Sequence, residues 1–270
     1  MKKVVLSVVA ALAVAASAAP GFAADMAVKA AKAPPPPPPS PFDVAFGTAF
    51  TTDYELRGIS QTDHLSAVQG YFEGDYTATP WLTLYAGLWG SNVSFADAEF
   101  DISGGGRFSW GNFGLDVGYV YYAYPQSGAA TSISYGEFYA KPSYKFTDWL
   151  SIGGVVIGGD NFGNGGNNAW YYEGNATITL PQMTRLNIGT SISGGVGRQT
   201  YDSAIGFTDY TTWNVGVAFN YKAVTLDLRY WDTDIGTPTA AQCAGTGGID
   251  LCKGTFVATL KFDTTLSAIK

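Results

Sequence analysis

A regular alternation of apolar and polar side chains runs through most of this chain. The clearest example is the segment WNVGVAFNY, which extends from Trp213 to Tyr221. Successive side chains of a β-strand point to opposite sides, so a period of two predicts one apolar face and one small or polar face. The apolar face would carry Trp213, Val215, Val217, Phe219 and Tyr221, and the other face Asn214, Gly216, Ala218 and Asn220.

Twelve segments with extended patterning follow one another along the chain. Their predicted bounds are 43–57, 66–78, 81–93, 98–110, 113–124, 132–146, 149–159, 169–180, 185–197, 209–221, 223–233 and 254–262. Most are longer than the usual five or six residues of soluble strands, and they approach the roughly 9–11 residues that a tilted membrane strand needs. The strand length therefore favours a membrane-spanning barrel over a soluble sandwich.

The predicted connections alternate between short turns and longer loops, which is typical of outer-membrane barrels. Trp81, Trp110 and Trp149 each stand beside a short turn, where they could form part of an aromatic girdle. The short turns are expected at Thr79–Pro80, Gly111–Asn112, Thr147–Asp148, Pro181–Gln182 and Lys222–Ala223, and the loops at 60–65, 94–97, 126–131, 161–168, 198–208 and 234–253.

Nearly every charged residue in the middle of a predicted strand falls on the same face as the small and polar residues. A charge on the lipid face costs about 2–4 kcal/mol for Arg or Lys at the bilayer midplane, so this face should point toward a lumen. With ten acids and six bases, that lumen would weakly favour cations, although internal ion pairs could also rigidify or close the barrel. The sixteen residues are Asp53, Glu55, Arg57, Glu73, Asp75, Glu99, Asp101, Arg107, Asp116, Glu137, Lys141, Lys145, Glu173, Asp227, Arg229 and Lys261.

The N-terminal residues predict export. Two lysines precede an apolar run, as in a secretory signal peptide, and we expect cleavage near residue 24. Removal of residues 1–24 would change the formal charge from 15 − 22 = −7 to 13 − 22 = −9, which is unfavourable for binding nucleic acid. Residues 25–42 contain six consecutive prolines and are predicted to form a linker before a barrel at 43–262 and a tail at 263–270.

The residues that could carry chemistry are few. Cys243 and Cys252 are the only cysteines, and in an exported chain they favour a disulfide within a loop. The only histidine, His64, lies near Ser60, Asp63 and Ser66 in a predicted loop, where a solvated side chain is a simpler interpretation than a catalytic base. We therefore expect no enzyme, no metal site and no cofactor.

One part of the chain resembles a known family. The segment YELRGISQ, the pair QG and the segment LYAGLWGSNVSF are similar to the N-terminal signature of TorF-type putative porins. The resemblance implies an outer-membrane β-barrel and supplies no catalytic residues. The proline-rich arm departs from the family pattern, as does the tail DTTLSAIK after Phe262. The matching residues are Tyr54, Arg57, Gly58, Ile59, Ser60, Gln61, Gln69, Gly70, Trp89, Ser91 and Asn92.

The sequence thus predicts an all-β protein, a membrane-spanning antiparallel up-and-down barrel of about twelve strands in a Gram-negative outer membrane. The expected function is passive diffusion of small polar solutes or ions. The alternatives are a non-conducting structural or surface-interaction barrel and an outer-membrane hydrolase. Expected partners are outer-membrane lipid, the solutes and the barrel-assembly machinery. The candidate constriction residues are Arg57, Arg107, Asp116, Glu137, Lys141 and Arg229.

Overall fold

A computed structural model of the chain describes residues 40–127, 132–183, 185–202, 206–236 and 241–269. The predicted signal peptide and most of the predicted linker lie outside these ranges. A short hairpin is formed by β2 (Glu55–Leu56) and β3 (Ile59–Ser60). The remaining strands are β1 (Phe42–Thr51), β4 (Ala67–Thr79), β5 (Leu82–Ser91), β6 (Glu99–Trp110), β7 (Phe113–Ala123), β8 (Tyr135–Lys145), β9 (Leu150–Gly159), β10 (Ala169–Met183), β11 (Ile188–Tyr201), β12 (Tyr210–Tyr221), β13 (Val224–Thr233) and β14 (Thr255–Thr265).

These twelve longer strands form one closed barrel in which sequence neighbours pair antiparallel. Closure occurs between the first and last strands, because β1 pairs with β4 on one side and with β14 on the other. Phe46, for example, lies opposite Phe72 of β4 and Thr264 of β14. A closed sheet has no unpaired edge, which is the condition for placing β-structure in lipid. The predicted fold class is confirmed.

The described helices are single 3₁₀ turns in the connections, at Phe162–Asn164, Ala241–Cys243 and Thr246–Gly248. Within the described ranges, none is long and apolar enough to cross a membrane.

Several predicted strand boundaries are wrong. The segment predicted at 185–197 is β11 at Ile188–Tyr201, so the strand includes part of the predicted loop at 198–208. The first strand ends at Thr51 rather than at residue 57, because the chain then turns into the barrel and forms the β2–β3 hairpin. The predicted turn at Pro181–Gln182 lies within β10, which passes through a register irregularity between Leu180 and Met183. The last strand extends to Thr265, so part of the predicted tail pairs with β1.

The two faces of the barrel have the predicted polarity. In β12, Trp213, Val215 and Tyr221 are exposed on the outer surface. The charges lie inside, as the pair of Arg107 in β6 with Glu73 in β4 illustrates. These two side chains reach each other across β5 on the inner face of the barrel. On the outside, Trp81 and Trp110 stack with ring centroids 6.3 Å apart beside the short turns.

Glycines on the inner face make room for tyrosine rings from neighbouring strands. A Cβ atom on Gly105 would lie 2.7 Å from the Tyr85 hydroxyl, and one on Gly197 would lie 2.2 Å from the Tyr171 hydroxyl. The rings therefore lie along the wall over these glycines. Gly105 belongs to the GGG run of β6.

Candidate functional site

The two rims of the barrel differ in their connections. We call the rim with the long connections the loop end, and the rim with the short turns the turn end. The loop end is covered by two connections, residues 52–66 between β1 and β4, and the described residues 234–236 and 241–254 between β13 and β14. The turn end carries Phe42 and Thr265, the first and last barrel residues.

Residues 52–66 form the hairpin loop, which folds into the barrel. At the tip of its hairpin, Arg57 and Gly58 both have a left-handed backbone conformation, with φ of 53° and 81°. A Cβ atom on Gly58 would lie 2.2 Å from Thr212 Oγ1, so the tip lies directly against β12. The Tyr210 hydroxyl donates a hydrogen bond of 3.1 Å to the Arg57 carbonyl oxygen. These contacts hold the tip inside the wall and aim the Arg57 side chain across the lumen.

Arg57 forms the centre of a buried polar cluster, the loop-end cluster, made of Arg57, Tyr122, Glu137, Tyr171 and Gln199. Its guanidinium forms an ion pair with Glu137 and donates a 2.9 Å hydrogen bond to Gln199 Oε1. The Tyr122 hydroxyl donates to the same carboxylate at 3.0 Å, and the guanidinium lies 5.3 Å from the centre of the Tyr171 ring. The side chains of Arg57 and Glu137 are only 9% and 1% exposed. The pair is therefore withdrawn from water.

The charge of Arg57 is maintained despite its burial. Burial lowers the pKa of the guanidinium and is the largest single influence, but the charge and hydrogen bond of Glu137, together with the neighbouring Tyr122 and Tyr135, raise the pKa by more, so the net pKa lies above the usual range. A buried arginine that keeps its charge needs a partner of opposite charge and several hydrogen-bond acceptors. The loop-end cluster supplies both.

A second group, the turn-end cluster, surrounds Arg107 and comprises Glu73, Asp75, Tyr85, Arg107, Asp116, Tyr139 and Lys141. The Arg107 guanidinium donates to both oxygens of Glu73, at 2.8 and 2.9 Å, and to Asp75 at 3.1 Å. It also lies over the Tyr85 ring, 3.9 Å from the centroid. The Tyr85 hydroxyl donates to Asp116 at 2.6 Å and hydrogen-bonds to the Tyr139 hydroxyl. The side chain of Arg107 is 39% exposed, so solvent reaches this cluster.

Arg229 of β13 lies in a third group on another part of the wall. It forms a 3.0 Å ion pair with Asp227 and donates to Ser193 at 2.8 Å, and it also donates to Asn214. A cavity of about 260 Å³ opens beside it. The inward side chains that line this cavity include Glu173, Asn175, Ser193, Asn214, Arg229 and Trp231.

His64 is not solvated, in contrast to the expectation from the sequence. Its side chain is 12% exposed, and Nδ1 lies 2.6 Å from Asp53 Oδ2. Its other ring nitrogen, Nε2, lies 2.8 Å from the carbonyl oxygen of Asp250. The backbone at His64 is left-handed, with φ of 58°, and this turns the ring back toward the hairpin. The local sequence gave no sign of this because both partners lie outside the segment considered.

The neighbours of His64 do not form a catalytic triad. Ser60 donates its hydroxyl to Asp53 Oδ1 at 2.7 Å, and the Ser60 oxygen accepts from the His64 backbone N–H rather than meeting the ring. Burial, and then the negative charge of Asp53, raise the pKa of nearby Glu55 to about 9. Asp53 therefore lies between Ser60 and His64, and Ser60 does not contact the imidazole ring directly in the described hairpin loop.

A disulfide joins Cys243 and Cys252 in the other covering connection. Their Cα atoms are 5.2 Å apart, and both residues are buried against Ile59 and Tyr210. The Ser60 backbone N–H donates a 3.0 Å hydrogen bond to the Leu251 carbonyl oxygen. The disulfide-containing connection therefore packs directly on the hairpin loop.

The six candidate constriction residues fall into separate places in the lumen. Arg57 and Glu137 meet at the loop end, while Arg107, Asp116 and Lys141 share the turn-end cluster. Arg229 lies apart from both. The sequence missed Tyr85, Tyr122, Tyr139, Tyr171 and Gln199 as partners of these charges. Their inward parity was readable, but which strands meet across a lumen depends on register and barrel tilt.

Solved structures with a similar fold are outer-membrane barrels. The KdgM porin aligns with a TM-score of 0.51 and 10% identity, over 82% of this chain and 98% of its own. The NanC porin aligns with a TM-score of 0.46 and 10% identity, over 83% and 98%. The COG4313 outer membrane channel from Pseudomonas putida F1 aligns with a TM-score of 0.44 and 12% identity, over 84% and 96%. At these identities the KdgM likeness supports the barrel fold alone.

Sequence comparison gives the family. A search of curated proteins finds no match. Residues 36–263 match the family described as bacterial protein of unknown function, Gcw_chp, and this range contains almost the whole barrel. These comparisons do not support the narrower TorF-type name. The chain belongs to the Gcw_chp family of bacterial proteins.

Proposed function

We propose that this protein is a porin-like channel that allows passive diffusion of small polar solutes or ions across a Gram-negative outer membrane. The observation that carries the proposal is a closed barrel with an apolar exterior and a charged interior, parts of which remain in contact with water. An apolar exterior with internal charges is the arrangement of a lipid-embedded barrel with a polar lumen.

The proposed route narrows toward the loop end. The turn-end cluster is partly solvated, whereas the loop-end cluster is nearly closed to water. The hairpin loop supplies Arg57 to the narrow part, and a loop folded into a barrel restricts the space available to a solute. We therefore propose that the pair formed by Arg57 and Glu137 is the constriction.

The proposed selectivity is a weak preference for cations. Thirteen of the charges predicted to face inward lie on barrel strands, and eight of these are acidic and five basic, an excess of 8 − 5 = 3 acids. Charged side chains along a pore attract ions of opposite sign. The ion pairs of Arg107 and Arg229 reduce the field without removing this excess.

The proposed location and partners follow from the same interpretation. Export by the predicted signal peptide, insertion by the barrel-assembly machinery and contact with outer-membrane lipid would all be needed. Membership of the TorF-type porins, suggested by the YELRGISQ segment, remains our hypothesis at this point.

Single-channel recording in a planar bilayer tests the proposal. Pure folded protein should conduct, and Arg57→Ala should increase the conductance because it shortens the side chain in the proposed constriction. Arg198→Ala is a suitable control because Arg198 is a half-exposed loop-end arginine that pairs with Asp209 and Asp234. Absence of current from folded protein would refute the channel, and equal conductance of wild type and Arg57→Ala would refute the constriction.

One observation favours a second function, that of a non-conducting barrel with a role at the cell surface. Inward side chains at the loop end are buried on many strands, among them Ser91, Glu99, Tyr122, Tyr135, Tyr171, Gln199, Tyr210 and Thr233. Such packing could close the lumen. An outer-membrane hydrolase has less support, because the Ser60 hydroxyl donates to Asp53 rather than to the His64 ring, and His64 Nε2 already lies against the Asp250 carbonyl oxygen.

A further inference from the structure

Three side chains of the hairpin loop converge in a way that suits a metal ion. One ligand atom from each of Asp53, Glu55 and His64 lies within 4.8 Å of the other two. Two carboxylates and an imidazole form a mixed oxygen and nitrogen donor set. All three residues belong to the hairpin loop, and the pairing of β2 with β3 brings together the two arms that carry them.

The hydrogen bonds around His64 favour ligation through Nδ1. Its Nε2 atom lies 2.8 Å from the Asp250 carbonyl oxygen, which can only accept, so Nε2 carries a hydrogen. In neutral histidine this leaves a lone pair on Nδ1, directed at Asp53 Oδ2 only 2.6 Å away. Two lone pairs that face each other require a proton or a cation between them. Donation of the remote N–H to a backbone carbonyl is also the usual way in which proteins orient a metal-binding histidine.

The two carboxylates have oxygen atoms available for the same cation. Asp53 Oδ1 lies 2.7 Å from Ser60 Oγ and 2.9 Å from Thr62 Oγ1, so the hydroxyls orient this carboxylate and Oδ2 remains for ligation. Glu55 Oε2 is buried and has no hydrogen-bond partner among the described residues. A buried carboxylate oxygen without a partner is costly, and a bound ion would satisfy it.

We propose that Asp53, Glu55 and His64 bind a divalent cation of the zinc type, with water as the fourth ligand. Calcium would be a poorer fit because it takes six to eight oxygen ligands, and imidazole is a preferred ligand of zinc. In a tetrahedral site with bonds of about 2.0 Å, Asp53 Oδ2 and His64 Nδ1 would need to separate to roughly 3.3 Å. For this pair, which now lies 2.6 Å apart, the adjustment is below about 1 Å.

The consequence of such a site would be to fasten the hairpin loop. One of the three ligands, His64, also contacts Asp250 in the disulfide-containing connection. A cation bound to the three ligands would therefore link the two connections that cover the loop end. The proposal concerns this attachment and holds whether or not the barrel conducts.

Zinc chloride titration of the folded whole chain tests the site, by calorimetry in detergent after removal of metal with a chelator and without an added histidine tag. The chain has one histidine and both cysteines are in a disulfide, so no second imidazole and no thiolate competes. We expect one zinc per chain with micromolar or tighter affinity. Glu55→Gln should weaken binding more than about tenfold. Asp97→Asn removes an exposed loop carboxylate and should leave the affinity unchanged.

A nitrogen spectrum of ¹⁵N-histidine-labelled protein gives an independent result for unmodified protein. On addition of zinc, the Nδ1 signal of His64 should move while Nε2 remains protonated. Failure to bind at millimolar zinc, an unchanged Nδ1 signal, or undiminished binding in Glu55→Gln would overturn the proposal. His64→Gln should abolish binding, and retention of full affinity in that variant would overturn it as well.

Discussion

Two arginine clusters occupy the interior of this barrel and differ in how much water reaches them. At the loop end, Arg57 is 9% exposed and meets one carboxylate, Glu137, which is 1% exposed. At the turn end, Arg107 is 39% exposed and meets three carboxylates, Glu73, Asp75 and Asp116. Removing one member of a buried pair leaves an uncompensated charge, whereas solvent screens a half-exposed one. We therefore expect the loop end to govern stability and the turn end to govern the electrostatic potential of the lumen.

The largest expected effect is that of Arg57→Ala on the free energy of unfolding. The substitution leaves Glu137 buried without its counter-charge, which should cost about 3–5 kcal/mol. Urea titration of protein folded into lipid vesicles measures this. In the double variant Arg57→Met, Glu137→Leu both charges are gone, so much of the loss should be recovered. If the double variant is no more stable than Arg57→Ala, the buried ion pair is not the source of the difference between the two ends.

Opening the disulfide should have the next largest effect, and it should be confined to the loop end. Cys243 and Cys252 are nine positions apart, and a loop of that length predicts a loss of roughly 2–3 kcal/mol when both are replaced by serine. Limited proteolysis should then cut within residues 241–254 sooner than in the wild type, while the turns at the opposite rim remain protected. A reducing agent should reproduce this in the wild type and leave the double serine variant unchanged. Accelerated cleavage at the short turns would show that loss of the disulfide also destabilises the turn end, which would contradict this prediction.

Arg107→Ala should change selectivity more than stability. We expect a loss of less than about 1 kcal/mol in the urea experiment, because solvent screens the partners of a half-exposed arginine. In a salt gradient the reversal potential should shift toward stronger cation preference, since three carboxylates lose a shared positive charge. Arg185→Ala is the control, because Arg185 is an exposed arginine at the turn-end rim. A stability loss as large as that of Arg57→Ala would show that exposure does not distinguish the clusters.

The smallest effect is expected for Asp148→Asn in the turn between β8 and β9. Lys145 donates a hydrogen bond and supplies a positive charge that lower the pKa of Asp148. A lowered pKa in the folded state stabilises above the unfolded value of 3.8, and this contribution disappears as pH falls through the folded value. Wild type and variant should thus differ slightly at neutral pH and become equal in strong acid. A difference that grows on acidification would have the wrong sign.

The sequence predicted the barrel well because the outer face of every strand contacts lipid and the inner face contacts a polar interior. The alternation of Trp213, Val215 and Val217 with Asn214 and Gly216 reflects lipid on one side and a polar interior on the other. Strand number and class follow from this repeated requirement.

The prediction of a wall strand from alternating residues failed at Asp53, Glu55 and Arg57. These residues also alternate with less polar ones and were assigned to the first strand. Their alternation arises because a hairpin packs inside the barrel, a tertiary arrangement that produces the same local pattern as a wall strand. The partners of His64 were likewise beyond local sequence, since Asp250 lies 186 positions away. Contacts across a lumen depend on register and tilt, which a period of two does not determine.

The pairing of β1 with β14 has a consequence for how the protein is made. Because β14 is the barrel strand that joins β1, any form of the barrel without it has two open sheet edges that lipid cannot satisfy. A chain lacking residues 255–265 would retain eleven barrel strands and both open edges. Burial of the wall in lipid therefore depends on the eleven residues of β14, which pair with β1 on one side and with β13 on the other.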